Sequence, residues 1–196
     1  MTPPPHISVN RARYLARALA SVLEQDTLPE TYELLVIDNR STDDTAATAA
    51  EVARDRPNVR VIPEPTLGLC HARNRGWREA RGQYVAYLDD DAVAEPGWLA
   101  AVGEAFERFP GAGVVGGRVE PIWEAVRPAW LSAEIALSLT IVDWSPEPKL
   151  IADLGREWLV GANLALPRRV LDEVGGFHPG LDRVGSSMLS SGDVFL

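Results

Sequence analysis

Three consecutive carboxylates, Asp89-Asp90-Asp91, follow an apolar run, Tyr84-Val85-Ala86-Tyr87-Leu88. Like charges this close raise one another's pKa and destabilise the segment unless something compensates. A divalent cation would, and oxygen donors suit Mg2+ or Mn2+, which keep waters and bridge to phosphates. The competing reading is a solvated acidic turn, the ordinary fate of a charge run. Placement directly after a strand that is apolar on both faces favours the ion site. Asp38 ends a second apolar run, Leu34-Leu35-Val36-Ile37. Its carboxylate can accept hydrogen bonds from a ligand N–H or from ribose hydroxyls, or it can cap a turn, a task open also to Asn39 and Ser41. Arg73 and Arg75 lie just past Gly68. A guanidinium there can pair with phosphate oxygens or sit on a solvated helix face.

Other reactive side chains fall into no pattern. His6, His71 and His178 have no metal-ligand spacing, and Cys70-His71 has no partner at zinc-site spacing, so both read as structural. Trp123, Trp130 and Trp144 lie in an irregular stretch and could stack on a sugar ring or fill the core. Asn39-Arg40-Ser41 matches a glycosylation acceptor, set aside because no secretory signal is seen.

These residues need elements to position them. Residues 11–25 place Tyr14, Leu15, Ala18, Leu19, Val22 and Leu23 on one helical stripe. Strands are predicted at 34–37, 59–62, 84–88 and 158–166. A helix capped by Ser41 or Thr42 should follow the first of these, with Asp43 and Asp44 in its first turn. A second helix is expected over 68–80, with Leu69, Ala72, Trp77 and Ala80 inward. Another should follow Pro96 as its first-turn proline, with Trp98, Leu99, Val102 and Phe106 at helical spacing. Residues 121–157 are rich in Pro and Trp and read as irregular, with a short helix near 129–138. Arg168–Val174 reads as a helix stopped by Gly175-Gly176. Strands apolar on both faces, alternating with amphipathic helices, predict an α/β fold: a mostly parallel sheet with helices on both faces. Ligands of such sheets bind beyond the C-terminal strand ends, where Asp38 and Asp89–Asp91 lie.

The chain has 196 residues, 19 basic and 28 acidic, for a net charge of −9. That balance, without a basic run, excludes a general nucleic-acid-binding surface. A single cysteine excludes an internal disulfide. No segment reaches the roughly 18 apolar residues of a membrane helix. A cytoplasmic domain is expected, able to work peripherally at a membrane.

The constellation resembles the family 2 glycosyltransferases with the A-type (GT-A) nucleotide-sugar-binding fold, a Rossmann-like nucleotide-diphospho-sugar transferase fold. The matching stretches are Asn10-Arg11-Ala12-Arg13-Tyr14-Leu15, Leu35 through Thr45, Gly68-Leu69 through Ala72-Arg73-Asn74-Arg75-Gly76, Tyr84 through Asp91, and Gly161-Ala162-Asn163 through Gly175-Gly176-Phe177. They occur in the family's order and span nearly the whole chain. The resemblance implies one domain, with a nucleotide-sugar-binding half over 6–120 and an acceptor-side half over 121–196. It implies that Asp38 holds the nucleotide base and that Arg73 lies near the diphosphate. Asp89 and Asp91 are the outer members of an Asp-X-Asp motif with Asp90 between them, Asp89 facing the ribose and Asp91 the metal. Ser191-Gly192-Asp193 looks like the family's late acidic motif, which makes Asp193 the catalytic base. The implied reaction is metal-dependent, inverting transfer of a sugar from a nucleotide donor, a UDP-sugar first among them, to the hydroxyl of a saccharide or lipid-linked acceptor. Mn2+ or Mg2+ with one or two arginines would let an acidic protein bind an anionic donor.

The sequence departs from the family pattern twice. His6-Ile7-Ser8-Val9 runs straight into Asn10, which predicts a shortened first strand and a reduced base pocket. Gly192 stands where the pattern has Glu, and the chain stops three residues after Asp193, so the acceptor-side half is expected to be incomplete. These departures favour an alternative, a catalytically impaired nucleotide-binding or scaffold module of the same fold. A sugar-phosphate nucleotidyltransferase fits less well, because no Gly-rich basic loop follows Val9.

Overall fold

The computed structural model describes residues 12–151, 153 and 156–181. The expected strand at 6–9, Asn10-Arg11 and the Asp193 motif lie outside the described residues. Strand β1 (Leu34–Asp38) pairs in parallel with β2 (Val59–Pro63), Leu34 opposite Val59 and Asp38 opposite Pro63. A second sheet has the order β3-β5-β4, with β3 at Tyr84–Leu88, β4 at Val115–Gly116 and β5 at Asn163–Pro167. Strand β5 runs antiparallel to both neighbours. The helices are α1 (Ala12–Leu23), α2 (Thr45–Ala53), α3 (Leu69–Glu79), α4 (Trp98–Arg108), α5 (Ala133–Ser138) and α6 (Arg168–Val174).

The period of two along each strand distributes these helices into layers. Leu34, Val36 and Val61 pack with Leu15 and Leu19 of α1 and with Ala49 and Val52 of α2. On the other face, Leu35, Val85, Tyr87, Leu164 and Leu166 pack with Cys70 and Trp77 of α3, Leu171 of α6 and Phe177. Leu164, Leu166 and Leu171 are at most 1% exposed. Burying each contributes about 1.5–3 kcal/mol. Helix α4 covers the first face of the second sheet, where Phe106 stacks on Tyr84 with centroids 4.3 Å apart.

The starts of the strands are tied together. At the start, Glu33 accepts the Arg81 amide at 2.5 Å and pairs with Arg60 at 3.3 Å, while Arg60 also reaches Glu79 at 2.9 Å. Residues just ahead of β1 and β3 therefore meet.

Several local expectations are corrected. Helix α2 starts at Thr45 after Asp44, so neither Ser41 nor Thr42 caps it; Asp43 Oδ1 instead accepts the Thr45 amide at 3.1 Å. Pro96 sits in the turn before α4, which begins after Gly97 at φ +81°. Leu69 is 43% exposed; the buried positions of α3 are Cys70, Arg73, Asn74 and Gly76. The strand expected from 158 begins only at Asn163, because the Asn163 amide turns back to the Val160 carbonyl at 3.0 Å. The short helix expected near 129–138 covers only Ala133–Ser138, capped by Ser132 Oγ, which accepts the Ile135 amide at 3.3 Å.

Candidate functional site

Beyond the C-terminal end of β1 the chain turns sharply. Asp38 Oδ1 accepts the Ser41 amide at 3.0 Å, across Arg40 at φ +64°. Asp38 thus serves as a turn cap through one oxygen, while Oδ2 has no hydrogen-bond partner among the described residues. Next to it, Asn39 is 6% exposed. Its Nδ2 donates to the Glu64 and Thr66 carbonyls at 3.1 and 2.6 Å, and its Oδ1 accepts the Gly68 amide at 2.8 Å. One buried side chain thereby fixes the loop after β1 to the loop after β2 and to the start of α3. Gly68, at φ +139°, makes the bend a side chain would resist. In the sequence Asn39 reads as an alternative cap and as part of an acceptor triplet; its burial is a tertiary outcome with no local signal.

Helix α3 then delivers Arg73, which is only 6% exposed. Its Nη2 stands 3.6 Å from Asp89 Oδ1. Its guanidinium carbon lies 5.4 Å from the centre of the Phe177 ring. Tyr87, one β3 position before Leu88, donates its hydroxyl to the Arg73 carbonyl at 3.4 Å and meets the Phe177 ring edge-on at 5.2 Å. Burial pushes the Tyr87 phenol well above its ordinary range, against the opposing pull of the Arg73 charge. Arg75, the other arginine singled out, pairs with Glu79 at 3.0 Å one helical turn on. It therefore belongs to the side of α3, while Arg73 belongs to the carboxylate edge.

Residues 89–92 form a turn in which the Ala92 amide donates to the Asp89 carbonyl at 3.0 Å. Asp90 and Asp91 occupy its centre. Asp89 and Asp90 are half-buried and Asp91 is exposed. The structure therefore brings Asp38, Arg73, Asp89, Asp90 and Asp91 to one edge of the molecule. Among the described residues, no group of three or more His, Cys, Asp or Glu side chains forms a metal cage. An all-oxygen donor set with few protein ligands fits a hard divalent ion that completes its shell with water and phosphate oxygens.

A third segment meets the same edge. Asn163, opposite Leu88 at the end of β3, donates to the Arg118 carbonyl at 3.2 Å and accepts Trp98 Nε1 at 2.9 Å. The chain leaving β4 is thus held beside the aspartate turn. A cleft of about 410 Å³ follows, lined by Val119, Trp123, Arg127, Leu131, Val142 and Asp143 among others. Trp123 is 45% and Trp130 67% exposed. Trp144 packs against Trp158 at 5.1 Å and donates Nε1 to its carbonyl at 2.7 Å, so its ring is committed to the fold. A larger cleft, about 600 Å³, opens at Tyr84 and Pro167, the opposite end of β3 from the carboxylates.

The order of these parts along the chain matches a known family. The profile described as glycosyl transferase family 2 covers residues 7–175. The chain belongs to glycosyl transferase family 2. This family 2 chain is 27% identical over 178 residues to a glucosyl-dolichyl phosphate glucuronosyltransferase of Haloferax volcanii, covering 91% of the chain and 55% of that relative. Its fold is similar to that of mannosyltransferase PcManGT from Pyrobaculum calidifontis, solved with GDP-Man and Mn2+, at TM-score 0.66 and 23% identity over 89% of this chain and 46% of that one. It is similar also to S. aureus TarS 1-349 in complex with UDP-GlcNAc, at TM-score 0.68 and 19% identity over 95% of this chain and 51% of that one. The chain spans about half the length of each. The GT-A fold expected from sequence is thereby established. Among the described residues, no helix is long and apolar enough to cross a membrane.

Proposed function

We propose that this family 2 chain carries the donor site of a metal-dependent, inverting glycosyltransferase. The observation that carries this reading is Arg73: a side chain only 6% exposed, its guanidinium held at the aspartate edge 3.6 Å from Asp89. A cation sequestered beside carboxylates suits an anionic diphosphate that arrives with its own counter-ion. Asp38, at the end of β1, would accept hydrogen bonds from the nucleotide base. Asp89 would take the ribose, with Asp90 shaping the turn. Arg73 would face the diphosphate. Asp91 would hold Mn2+ or Mg2+ together with diphosphate oxygens and water. When bound, that ion supplies Lewis-acid neutralisation of the leaving group.

Acceptor recognition falls to the cleft beside Trp123, which supplies an exposed aromatic face of the kind that stacks on sugar rings. Asp193, outside the described residues, is our candidate base from the sequence motif. It would take the proton of the acceptor hydroxyl as that oxygen bonds to the anomeric carbon. The bond to the diphosphate oxygen then breaks, and the nucleoside diphosphate leaves with the electron pair. The solved relatives named above hold GDP-Man with Mn2+ in one case and UDP-GlcNAc in the other, which supports a nucleotide-sugar donor.

Calorimetric titration of UDP, then GDP and dTDP, with Mn2+ or with EDTA tests the reading. Metal-dependent binding to the wild-type chain that falls at least tenfold in Asp91→Asn is expected, one charge-assisted ligand being worth about 1.5–3 kcal/mol. A folded chain that binds none of these nucleotides would refute it.

A further inference from the structure

Asn74 is 4% exposed on α3, beside Arg73, and its amide closes on a backbone segment 103 residues away. Nδ2 donates to the Phe177 carbonyl at 2.7 Å, and Oδ1 accepts the Phe177 amide at 2.8 Å. Trp77 Nε1 adds a third bond to Oδ1 at 3.2 Å. This clamp leaves no room at residue 176: a Cβ there would come within 2.4 Å of Asn74 Oδ1, and the backbone is at φ +84°. Glycine is required twice over, by space and by conformation. The clamp fixes the Phe177 ring, 2% exposed, between Tyr87 and the Arg73 guanidinium.

Such an arrangement exceeds what packing alone requires. A leucine would fill most of the same apolar volume. The ring adds a polarised face, and a cation at 5.4 Å is within the distance at which that face attracts it. Burial removes the water that would otherwise compete for the guanidinium. The ring therefore limits where Arg73 can point, and Nη2 faces the aspartate edge, 3.6 Å from Asp89 Oδ1.

We propose that Phe177, locked by Asn74 and admitted by Gly176, is a positioning residue that orients Arg73 toward the donor diphosphate. This rests on the donor-site reading above. It makes the segment after α6 part of the diphosphate subsite, although no atom of Phe177 needs to touch the donor.

The test separates positioning from stability by comparing UDP with UMP, both with Mn2+, in titrations of folded protein. Phe177→Leu should weaken UDP about fivefold to tenfold, between the effects of an exposed and a fully desolvated cation–π contact, and leave UMP within about twofold. Phe177→Met, of much the same volume as leucine but more adaptable, carries the same expectation should the leucine variant not fold. In an Arg73→Gln background the Phe177 substitution should have no further effect on UDP, because contacts that act through one group are not additive. Equal losses for UDP and UMP, or a Phe177 effect undiminished without Arg73, would overturn the inference while leaving the donor site standing. A wild-type chain that binds neither nucleotide would overturn both.

Discussion

Replacing Asn74 by alanine removes three hydrogen bonds at once, and their costs differ. Phe177 is 2% exposed, so its N–H and C=O, bonded at 2.8 and 2.7 Å, are left without access to water. A buried backbone group that loses its partner costs about 1–3 kcal/mol. Trp77 is half-buried, and its Nε1, already at 3.2 Å, can turn to solvent. Two backbone groups at about 1.5 kcal/mol each give a loss of about 3 kcal/mol, a large share of a typical total of about 5–15 kcal/mol. At about 2–4 °C per kcal/mol for a chain of this size, Tm should fall by about 6–12 °C. Urea unfolding of wild type and Asn74→Ala measures it directly. The geometry adds a sign for a second variant. The methyl of Gly176→Ala would meet Asn74 Oδ1 at 2.4 Å and Trp77 Nε1 at 2.6 Å. Gly176→Ala should therefore cost less in the Asn74→Ala background than in wild type, since one of the two clashes has gone. A loss under about 1 kcal/mol for Asn74→Ala, or strictly additive effects of the pair, would refute the reasoning.

Burial raises the Tyr87 phenol above its ordinary value of 10.0. The folded state then holds this proton more tightly than the unfolded state, so its contribution is fully present below pH 10.0 and is lost as pH rises further. Tyrosinate absorbance of wild type and Tyr87→Phe should superimpose until alkaline unfolding begins, and the decline of stability above that pH should be shallower in the variant. An earlier divergence of the two absorbance curves would show the phenol ionising in the folded protein. Trp123 is 45% exposed and lies outside the proposed donor site. Trp123→Ala should change Mn2+-dependent UDP affinity by less than about twofold and stability by no more than about 0.5 kcal/mol; tenfold weaker UDP binding would move Trp123 to the donor side.

Much of the positioning was legible because it is periodic. The apolar stripe of α1 and the short runs at 34–37, 59–62 and 84–88 each carry their element in local order. Asp38 and Asp89 mark strand ends because a carboxylate cannot continue a buried strand. The glycine stop of α6 was equally local, with Gly175 at φ +83°. Caps are less legible. Ser41, Thr42 and Asp44 are all acceptable ahead of α2; Ser41 is taken up in the turn with Asp38, and the helix follows Asp44. Strand β5 was legible as a strand, but its antiparallel sense depends on pairings of Tyr87 with Leu164 and Leu88 with Asn163, made across some 75 residues of chain.

Residue types able to do chemistry, and their place at strand ends, are legible in the chain order, because period, charge and strand-breaking residues are properties of neighbours. Residue type and spacing leave Arg73 and Arg75 equivalent and the family resemblance points to Arg73, but only the fold shows why the two part company. Arg73 and Arg75 differ by two positions on one helix, about 200° around its axis. Only the packing of α3 against Tyr87 and Phe177 buries the first beside Asp89, while the second pairs with Glu79. The same holds for Asn39 and Asn74. Each is an ordinary polar residue in sequence, and each becomes a buried clamp because the fold presents it with backbone groups that have no water to bond.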